Sequence, residues 1–379
     1  MVPVVDLSRR GRELASEFAA TVEGVVASGV RLLGEQTAGF EREFGAWLSA
    51  AGSSNADTPD TPDTPDTPDT PEVVAVGSGA SALQLALAAV GVGPGDEVIV
   101  PAFTAVPTAS AVCALGAVPV LVDVESDSAC LDPALVHAAR TPRTKAVIVV
   151  HLYGRPATLP EIDLPIIEDA AQAHGAVADH RRSAAVAYSF YPTKNLGGIG
   201  DGGAVATHDP ALAERIRRLR VHGMTEQYVH EDISQNFRMS EIEAAWLRLS
   251  LTRLTTDNAR RRAIVARYLA SAPDLRWQSP HPAHVYHLCV MRSASRQLVR
   301  EGLATRGIAT AIHYPLSIDD QPAYRHFATA SQPESRAWAA ECISLPCFPE
   351  LTDDEVDHVA TALAELTGQP DAACASPGL

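Results

Sequence analysis

The sequence is short of basic side chains. Its 30 lysine and arginine residues stand against 46 aspartate and glutamate residues, so the formal net charge is -16 at pH 7. Nucleic acids and anionic membrane surfaces repel a protein of this charge. We therefore expect no nucleic acid and no membrane among its partners.

Long apolar runs and paired cysteine motifs are missing as well. No run approaches the length that spans a bilayer, and the segment after Met1 lacks the apolar core of a secretory signal peptide. The 6 cysteines are scattered, without a CxxC pair or a companion histidine pattern, so no metal site is predicted. Together these absences predict a cytoplasmic protein with reduced thiols.

Lysine is also scarce. Lys194 is the only lysine after Lys145, and it lies between a short alternating strand that begins at Ala187 and a glycine cluster that ends at Gly203. Glycines allow a backbone to approach a ligand closely. A lysine amine, unlike a guanidinium, loses its proton when it is desolvated, so Lys194 is a candidate Schiff-base nucleophile. An arbitrary loop lysine is usually solvated, and the case for chemistry therefore depends on residues upstream.

An acid and an amide precede this lysine. The apolar run at residues 164–168 predicts a buried parallel strand, and Asp169 then lies at the edge where open α/β sheets bind ligands. Pyridoxal phosphate needs a carboxylate at its pyridine nitrogen. Gln172 follows by about one helical turn, so its amide would reach the same ring. The alternative interpretation makes Asp169 the N-cap of a following helix.

Strand and helix patterns alternate through the middle of the chain. They predict strands at residues 73–76, 97–100, 118–124 and 145–150, with a helix at residues 81–90. This alternation predicts βαβ units and a mostly parallel sheet. Beyond Thr207, helices are predicted at residues 211–220, 239–254 and 296–306, and strands at residues 285–290 and 307–312. Near the start, two helical patterns are joined by a loop at residues 28–34.

One segment has a different composition. Between residues 53 and 72 a Thr-Pro-acid unit repeats five times, and with Asp57 the segment holds six acids and no base. Proline at every third position prevents both helix and ladder pairing, so we expect an extended or disordered tether. A tolerated surface loop is the favoured interpretation, and a binding role is the alternative.

These motifs, in this order, resemble the DegT-type (DegT/DnrJ/StrS) family of pyridoxal-phosphate-dependent sugar aminotransferases, within fold-type I. The likeness runs from Val2 to Glu350, interrupted by the repeat. It implies an α/β fold with a large domain, built on a mostly parallel seven-stranded sheet flanked by helices, and a smaller α+β C-terminal domain. The expected division is a helical arm (1–50), the repeat insertion (51–72), the large cofactor-binding domain (73–250), the small domain (251–370) and a flexible tail (371–379).

The resemblance and the local pattern together predict a phosphate site. A glycine-rich turn opens the helix after the first strand, and backbone amides at a helix N-terminus bind anions. We therefore assign Gly79, Ala80 and Ser81 to the cofactor. The family usually carries Gly-Thr where this chain has Gly79-Ala80, so one hydroxyl contact is missing. Ser189 matches the family's phosphate-binding serine.

Other site residues are implied by the resemblance alone. Many relatives place a ring-stacking aromatic at the position of Ala105, so either this smaller surface covers the ring or Phe103 swings in. The matching asparagine, Asn236, reaches the neighbouring subunit's cofactor phosphate across a homodimer interface. Arg238 is expected near the substrate, as are His313 and Tyr314. Relatives often have histidine at the position of Asp319, which alters substrate preference.

The resemblance also implies an activity. Relatives with histidine at the position of Lys194 are dehydratases, so the lysine favours transamination. The expected reaction converts a keto sugar, first of all a nucleotide-linked keto-deoxysugar, into an amino sugar for antibiotic biosynthesis, with glutamate or glutamine as amino donor. The alternative substrates are a keto-cyclitol of the scyllo-inosose type or an aminoshikimate-type ring. An inactive cofactor-binding regulator is the non-enzyme alternative.

Overall fold

The computed structural model describes residues 1–54, 70–176 and 182–367. Most of the predicted repeat insertion and the predicted tail at residues 371–379 lie outside the described residues. Within the described ranges, no helix is long and apolar enough to cross a bilayer.

A seven-stranded sheet organises the larger part of the chain. Its strands are β1 (Glu72–Val76), β2 (Glu97–Pro101), β3 (Val118–Val122), β4 (Thr144–Val150), β5 (Ile166–Asp169), β6 (Ala185–Ser189) and β7 (Gly203–Thr207), in the order β1-β7-β6-β5-β4-β2-β3. The pairs from β3 to β6 are parallel, and β7 is antiparallel to both β6 and β1. The predicted mostly parallel α/β sheet is confirmed.

Helices pack against this sheet, and a side chain caps the N-terminus of three of the four named next. They are α3 (Gly79–Ala89), α4 (Val106–Ala114), α5 (Pro133–Ala139) and α6 (Pro210–Leu219). Asp132 and Asp209 cap α5 and α6 by accepting backbone amides, and a proline follows each cap. Strands such as β2 and β6 are buried along their whole length, which accounts for their continuous apolar sequences.

Two N-terminal helices, α1 (Leu7–Ser28) and α2 (Glu35–Ser54), pack on α7 (Glu241–Leu251). The predicted loop at residues 28–34 is confirmed, since α1 ends at Gly29 in the left-handed region. Glu241 of α7 then accepts amides from Gly34, Gln36 and Thr37 at the start of α2. These bonds satisfy donors that a helix N-terminus otherwise leaves unpaired.

The C-terminal part builds a second apolar core. An exposed hairpin, β8 (Met224–Glu226) and β9 (Val229–His230), precedes α7. The elements after α7 are α8 (Leu254–Ser271), β10 (Arg276–Trp277), β11 (Cys289–Arg292), α9 (Arg296–Thr305), α10 (Pro333–Glu341), β12 (Cys342–Leu345) and α11 (Asp353–Thr367). Strands β10, β11 and β12 form an antiparallel sheet, packed against α8, α9 and α11 through its own apolar cluster. A domain boundary near residue 250 remains a proposal.

One strand prediction in this part is partly confirmed and another is wrong. Of residues 285–290, the last two belong to β11. Residues 285–288 are not in β11, because Val285 and Leu288 donate their amides to the carbonyls of Gly154 and Tyr153. Residues 307–312 form no named strand. Ile308 and Ala311 make isolated bridges to Val2 and Ser344 instead.

Candidate active site

A cavity of about 290 Å³ lies at the carboxyl ends of the parallel strands. Ligands of open α/β sheets bind at this edge. The predicted site residues that line it are Gly79, Ala80, Ala105, Asp169, Gln172, Ser189 and Lys194. The sheet thus brings together residues that are up to 115 positions apart in the chain, from Gly79 to Lys194.

Asp169 forms one end of the cavity. It is the last residue of β5 and is 5% exposed. Burial raises the pKa of its carboxyl, while hydrogen bonds from Thr108 Oγ1 (2.8 Å) and the Ala171 amide (3.1 Å) and the charge of Lys194 oppose the rise. No helix follows, because residues 170–176 form successive turns with bonds such as Ala173 N to Ala170 O. The helix-cap alternative for Asp169 is therefore wrong.

Lys194 lies on the loop between β6 and β7 and lines the same cavity. Desolvation lowers the pKa of its amine to about 8, and the nearby charge of Asp169 opposes this shift. With that pKa, about one amine in ten is neutral at pH 7, far more than for a solvated lysine. The arrangement therefore supplies a nucleophilic amine at neutral pH.

A second part of the cavity lining is a candidate anion cradle. Helix α3 begins there with Gly79, next to the hydroxyl of Ser189. A Cβ on Gly79 would lie 2.5 Å from Ser189 Cβ, so only glycine permits this approach. Gly79 and Ala80, the first two residues of the helix, line the cavity, and amides at such a position bind anions. Ser81 does not line it, because its amide and hydroxyl turn to the capping Ser78 Oγ, at 3.1 and 2.8 Å.

These residues fit pyridoxal phosphate. The cofactor carries a phosphate, an aldehyde and a basic ring nitrogen, and the cavity offers an amide cradle, a desolvated amine and a buried carboxylate. Among the described residues no cluster of histidine, cysteine, aspartate and glutamate could hold a metal ion.

Gln172 reaches the cavity from a turn instead of the expected helix. Its Oε1 accepts the Tyr153 amide at 2.7 Å, and its Nε2 donates to the Tyr314 hydroxyl at 3.3 Å. Tyr314 is thus joined to the site through Gln172. His313 lies behind it, where its Nδ1 is 2.9 Å from Ser344 Oγ and its carbonyl accepts the Tyr153 hydroxyl. His313 and Tyr314 do not line the cavity.

Two further predicted residues lie away from this chain's cavity. Asn236 is exposed, and its Oδ1 accepts a hydrogen bond of 2.8 Å from Nε of the half-buried Arg238. Neither side chain lines the cavity. Their expected roles at a neighbouring subunit and near the substrate remain predictions.

The structure shows which of two residues lies where many relatives have a ring-stacking aromatic. Ala105 lines the cavity, whereas Phe103 is fully buried and stacks on Trp338 with ring centroids 6.3 Å apart. The alternative in which Phe103 swings in is therefore wrong, because Trp338 of α10 holds its ring in the core. Asp319 is also buried and pairs with Arg336 at 2.8 Å.

Sequence reasoning missed several residues of the site. The hydroxyl of Thr108 donates a hydrogen bond to Asp169. The hydroxyl of Thr104 lies 3.0 Å from the hydroxyl of Thr108. The spacing of four residues between these threonines, directly after β2, was the available signal. Tyr191 and Asp201 are exposed and line the mouth, where nothing in their local sequence distinguishes them from other loop residues.

Known proteins match this chain over nearly its whole length. The model of the DegT/DnrJ/EryC1/StrS aminotransferase family matches residues 68–364. The dTDP-3-amino-3,4,6-trideoxy-alpha-D-glucose transaminase of Streptomyces venezuelae is 41% identical over 390 aligned positions, which cover 98% of each chain.

Solved structures agree with the sequence matches. S. venezuelae DesV, in complex with a ketimine intermediate, superposes with a TM-score of 0.87 at 40% identity, covering 98% of this chain and 99% of that one. Bacillus subtilis NtdA with bound cofactor PMP gives a TM-score of 0.82 at 26% identity, covering 94% and 82%. The shared fold places this chain's cavity among enzymes that carry this type of cofactor.

Proposed function

Because the chain belongs to the DegT/DnrJ/EryC1/StrS aminotransferase family, we propose that it transfers an amino group to a nucleotide-linked keto-deoxysugar. It is an aminotransferase, and pyridoxal phosphate is its cofactor. The observation that carries the proposal is one cavity lined by a desolvated amine, Lys194, and a buried carboxylate, Asp169.

In this proposal each residue of the cavity has a separate role. When bound, pyridoxal phosphate supplies an aldehyde that exchanges amines and a ring that withdraws electrons. Asp169 would hold the ring nitrogen, and the α3 amides with Ser189 would hold the phosphate. Lys194, partly neutral at pH 7, takes a proton from the donor's α-carbon and returns one to the product as general base and acid.

The substrate proposal extends the names of relatives to this chain. The S. venezuelae relative is named as a transaminase of a dTDP-linked amino sugar. The exposed Tyr191 and Asp201 at the cavity mouth offer a stacking surface and a hydrogen-bond acceptor for a sugar. Glutamate or glutamine as donor, a role in antibiotic biosynthesis and a cytoplasmic location belong to the same proposal. Product masses from a panel of keto-sugar nucleotides, keto-cyclitols and aminoshikimate-type rings distinguish the substrates.

A homodimer with shared active sites is part of the proposal. Of the described residues that line the cavity, Lys194 is the basic one, so the phosphate cradle has no cation of its own beyond it. Large apolar side chains are exposed beside the cavity, with Tyr191 at 53% and Ile199 at 52%. A second copy of the chain would cover them and supply Asn236 and Arg238.

The two lysines of the chain give a matched experiment. We expect purified protein to absorb in the visible range and to bleach when glutamate is added. Lys194→Ala should lose both the band and turnover, because no other amine lines the cavity in the described residues. Lys145 is exposed on β4, so Lys145→Ala should retain both. A Lys194→Ala protein that keeps the band and turns over would refute the proposal.

A further inference from the structure

The loop that carries Lys194 is fastened to helix α7. Residues 190–202 join β6 to β7, and two side chains of α7 hold them. Trp246 Nε1 donates to the Gly197 carbonyl at 2.9 Å, and Glu243 Oε2 accepts the Gly200 amide at 2.8 Å. The two side chains are three residues apart, so they project from one face of the helix.

The glycines of this loop close around the Glu243 carboxylate. A Cβ on Gly198 would overlap Glu243 Oε1, and a Cβ on Gly202 would lie 3.3 Å from its Cγ. The sequence suggested that the glycine cluster lets the backbone approach a ligand. At Gly198 the close approach is instead to Glu243, a residue 45 positions further along the chain. The lysine loop is therefore shaped around a buried acid.

This acid is held in an unfavourable environment for a charge. Glu243 is 4% exposed, and its Oε1 has no hydrogen-bond partner among the described residues. Burial raises the pKa of Glu243 to about 7, the charge of Asp201 adds to the rise, and the amides of Gly200 and Ile199 oppose it. Near neutral pH the carboxyl therefore exchanges its proton with solvent.

Two acids on the helices that pack around α7 form ion pairs. Glu43 of α2 pairs with Arg248 at 2.6 Å, and Glu13 of α1 pairs with Arg253 at 2.6 Å. The contact of α1 with the same face of α7 is apolar, since Phe18 packs edge-on against Trp246. Asp201, on the loop itself, is the charged neighbour that acts on Glu243.

We propose that Glu243 is a positioning residue whose proton keeps the lysine loop closed, and that its ionisation loosens the loop around Lys194. The inference rests on the proposed function, in which Lys194 is the reactive amine. An ionised carboxylate with one unpaired buried oxygen is stabilised by contact with water, and the carboxylate of Glu243 reaches water when the loop opens. The geometry of Lys194 thus depends on a side chain that does not line the cavity.

The sign of the effect follows from the direction of the shift. The pKa of Glu243 is raised in the folded loop, so the carboxyl stabilises the closed loop at low pH and loses this contribution as pH rises through about 7. If the open loop returns Glu243 to an ordinary glutamate pKa, the opening equilibrium grows about tenfold between pH 6 and pH 8.

Amide hydrogen exchange of the full-length holoenzyme measures this opening. After correction for the intrinsic rate, the protection of Ile199 and Gly200 should fall about tenfold over that range in the unmodified protein. Glu243→Gln should keep its protection constant, because the side chain stays neutral. Glu214→Gln, the same change at an exposed position of α6, should follow the unmodified protein.

The substitution Asp201→Asn is a second test of the pH dependence of amide protection. Removal of this charge lowers the pKa of Glu243 in the closed loop, so protection should stop falling at a lower pH and should fall less than tenfold between pH 6 and pH 8. Equal profiles in the unmodified protein and Glu243→Gln would overturn the proposal. If Glu243→Gln fails to fold, the unmodified protein decides alone, because a flat profile from pH 6 to pH 8 overturns it as well.

The two proposals fail separately. Flat exchange in a protein with a normal visible band and normal turnover would reject the role of Glu243 alone. A Lys194→Ala protein that keeps band and turnover would reject the reactive amine, whatever the exchange profile of residues 199–200.

Discussion

Asp169 is enclosed so completely that the pKa of its carboxyl rises, and the hydroxyl of Thr108 supplies one of the bonds that oppose the rise. A carboxylate that serves a pyridine nitrogen must remain ionised. Hydrogen bonds to charged groups contribute about 1.5–3 kcal/mol, which is enough to decide the protonation of a buried acid. In the proposed site, Thr108 would therefore act on the bound cofactor through Asp169.

The substitution Thr108→Val tests this role. It keeps the side-chain shape but removes the donor, so the pKa of Asp169 should rise further and the affinity for pyridoxal phosphate should fall by about ten- to a hundredfold. Absorbance titration of cofactor-free protein measures the affinity. Thr104→Val, which changes the neighbour that contacts Thr108 but not Asp169, should cost less. Equal affinity in Thr108→Val and the unmodified protein would contradict this role.

Sequence patterns at this scale find side chains with special chemistry and miss the neighbours that set their state. Lys194 and Asp169 were predicted because a lone lysine before a glycine cluster and an acid at the end of a buried strand are both visible in the local sequence. Thr108 and Glu243 were not, because each acts on a residue more than 40 positions away through a contact that only the folded sheet creates. The sequence left the place of Phe103 open for the same reason, since Trp338 lies on a distant helix.

Helix α3 and strand β6 meet at the phosphate end of the cavity with no room for a side chain between them. Gly79 opens the helix beside Ser189, and Ser78 caps it by accepting the Ser81 amide. Gly79 and Ala80 both line the cavity, so their amides are the ones that would bind a phosphate there. The position of the helix, more than any one hydroxyl, defines this end of the site.

Gly79→Ala should therefore separate the two elements. Its Cβ would lie 2.5 Å from Ser189 Cβ, and overpacking of this kind costs about 1–3 kcal/mol. Urea unfolding and phosphate inhibition of cofactor binding should both report the loss. Gly24→Ala in α1 is the control, since nothing lies within 4 Å of its added Cβ and alanine favours a helix. A Gly79→Ala protein as stable as the unmodified one would refute the close contact.

Element boundaries were predictable where the local pattern was strong. Strands β2 and β4 differ by one residue or less at each end from the predictions at residues 97–100 and 145–150. Residues 285–288 and 307–312 carry a similar apolar pattern, yet they bond to the loop after β4 and to isolated partners near both ends of the chain. Long-range pairing decided these segments, and a local pattern does not contain it.

For the whole molecule, the important feature is that some predicted site residues lie on the surface and others line the cavity. Asn236 is exposed and the hairpin beside it presents Tyr228 at 84% exposure, while the cradle at Gly79 has no described cation except Lys194. This distribution supports a site that two subunits complete. It also means that the proposed dimer and the proposed activity are linked.

Mixing two inactive variants tests the linkage. Lys194→Ala removes the amine from its own cavity, and Asn236→Ala removes the group offered to the neighbour's cavity. If sites are shared, mixed dimers contain one intact site and should regain part of the activity of the unmodified enzyme. Two Lys194→Ala preparations mixed together should stay inactive. Failure to regain activity in mixed dimers, shown to form by mass, would reject the shared site.

Strand β1 lies between the joint at residues 70–71 and the cavity. The carbonyl of Pro71, just before β1, lies 3.0 Å from where a Cβ on Gly45 would stand in α2, whereas Ser78 follows the far end of the strand at the cavity. Five residues of strand span about 16 Å. Because each doubling of a loop costs only about 0.6 kcal/mol, polypeptide of almost any length can be spliced in ahead of β1. The joint before residue 70 is thus a suitable place for a fluorescent label or a surface tether that leaves turnover intact.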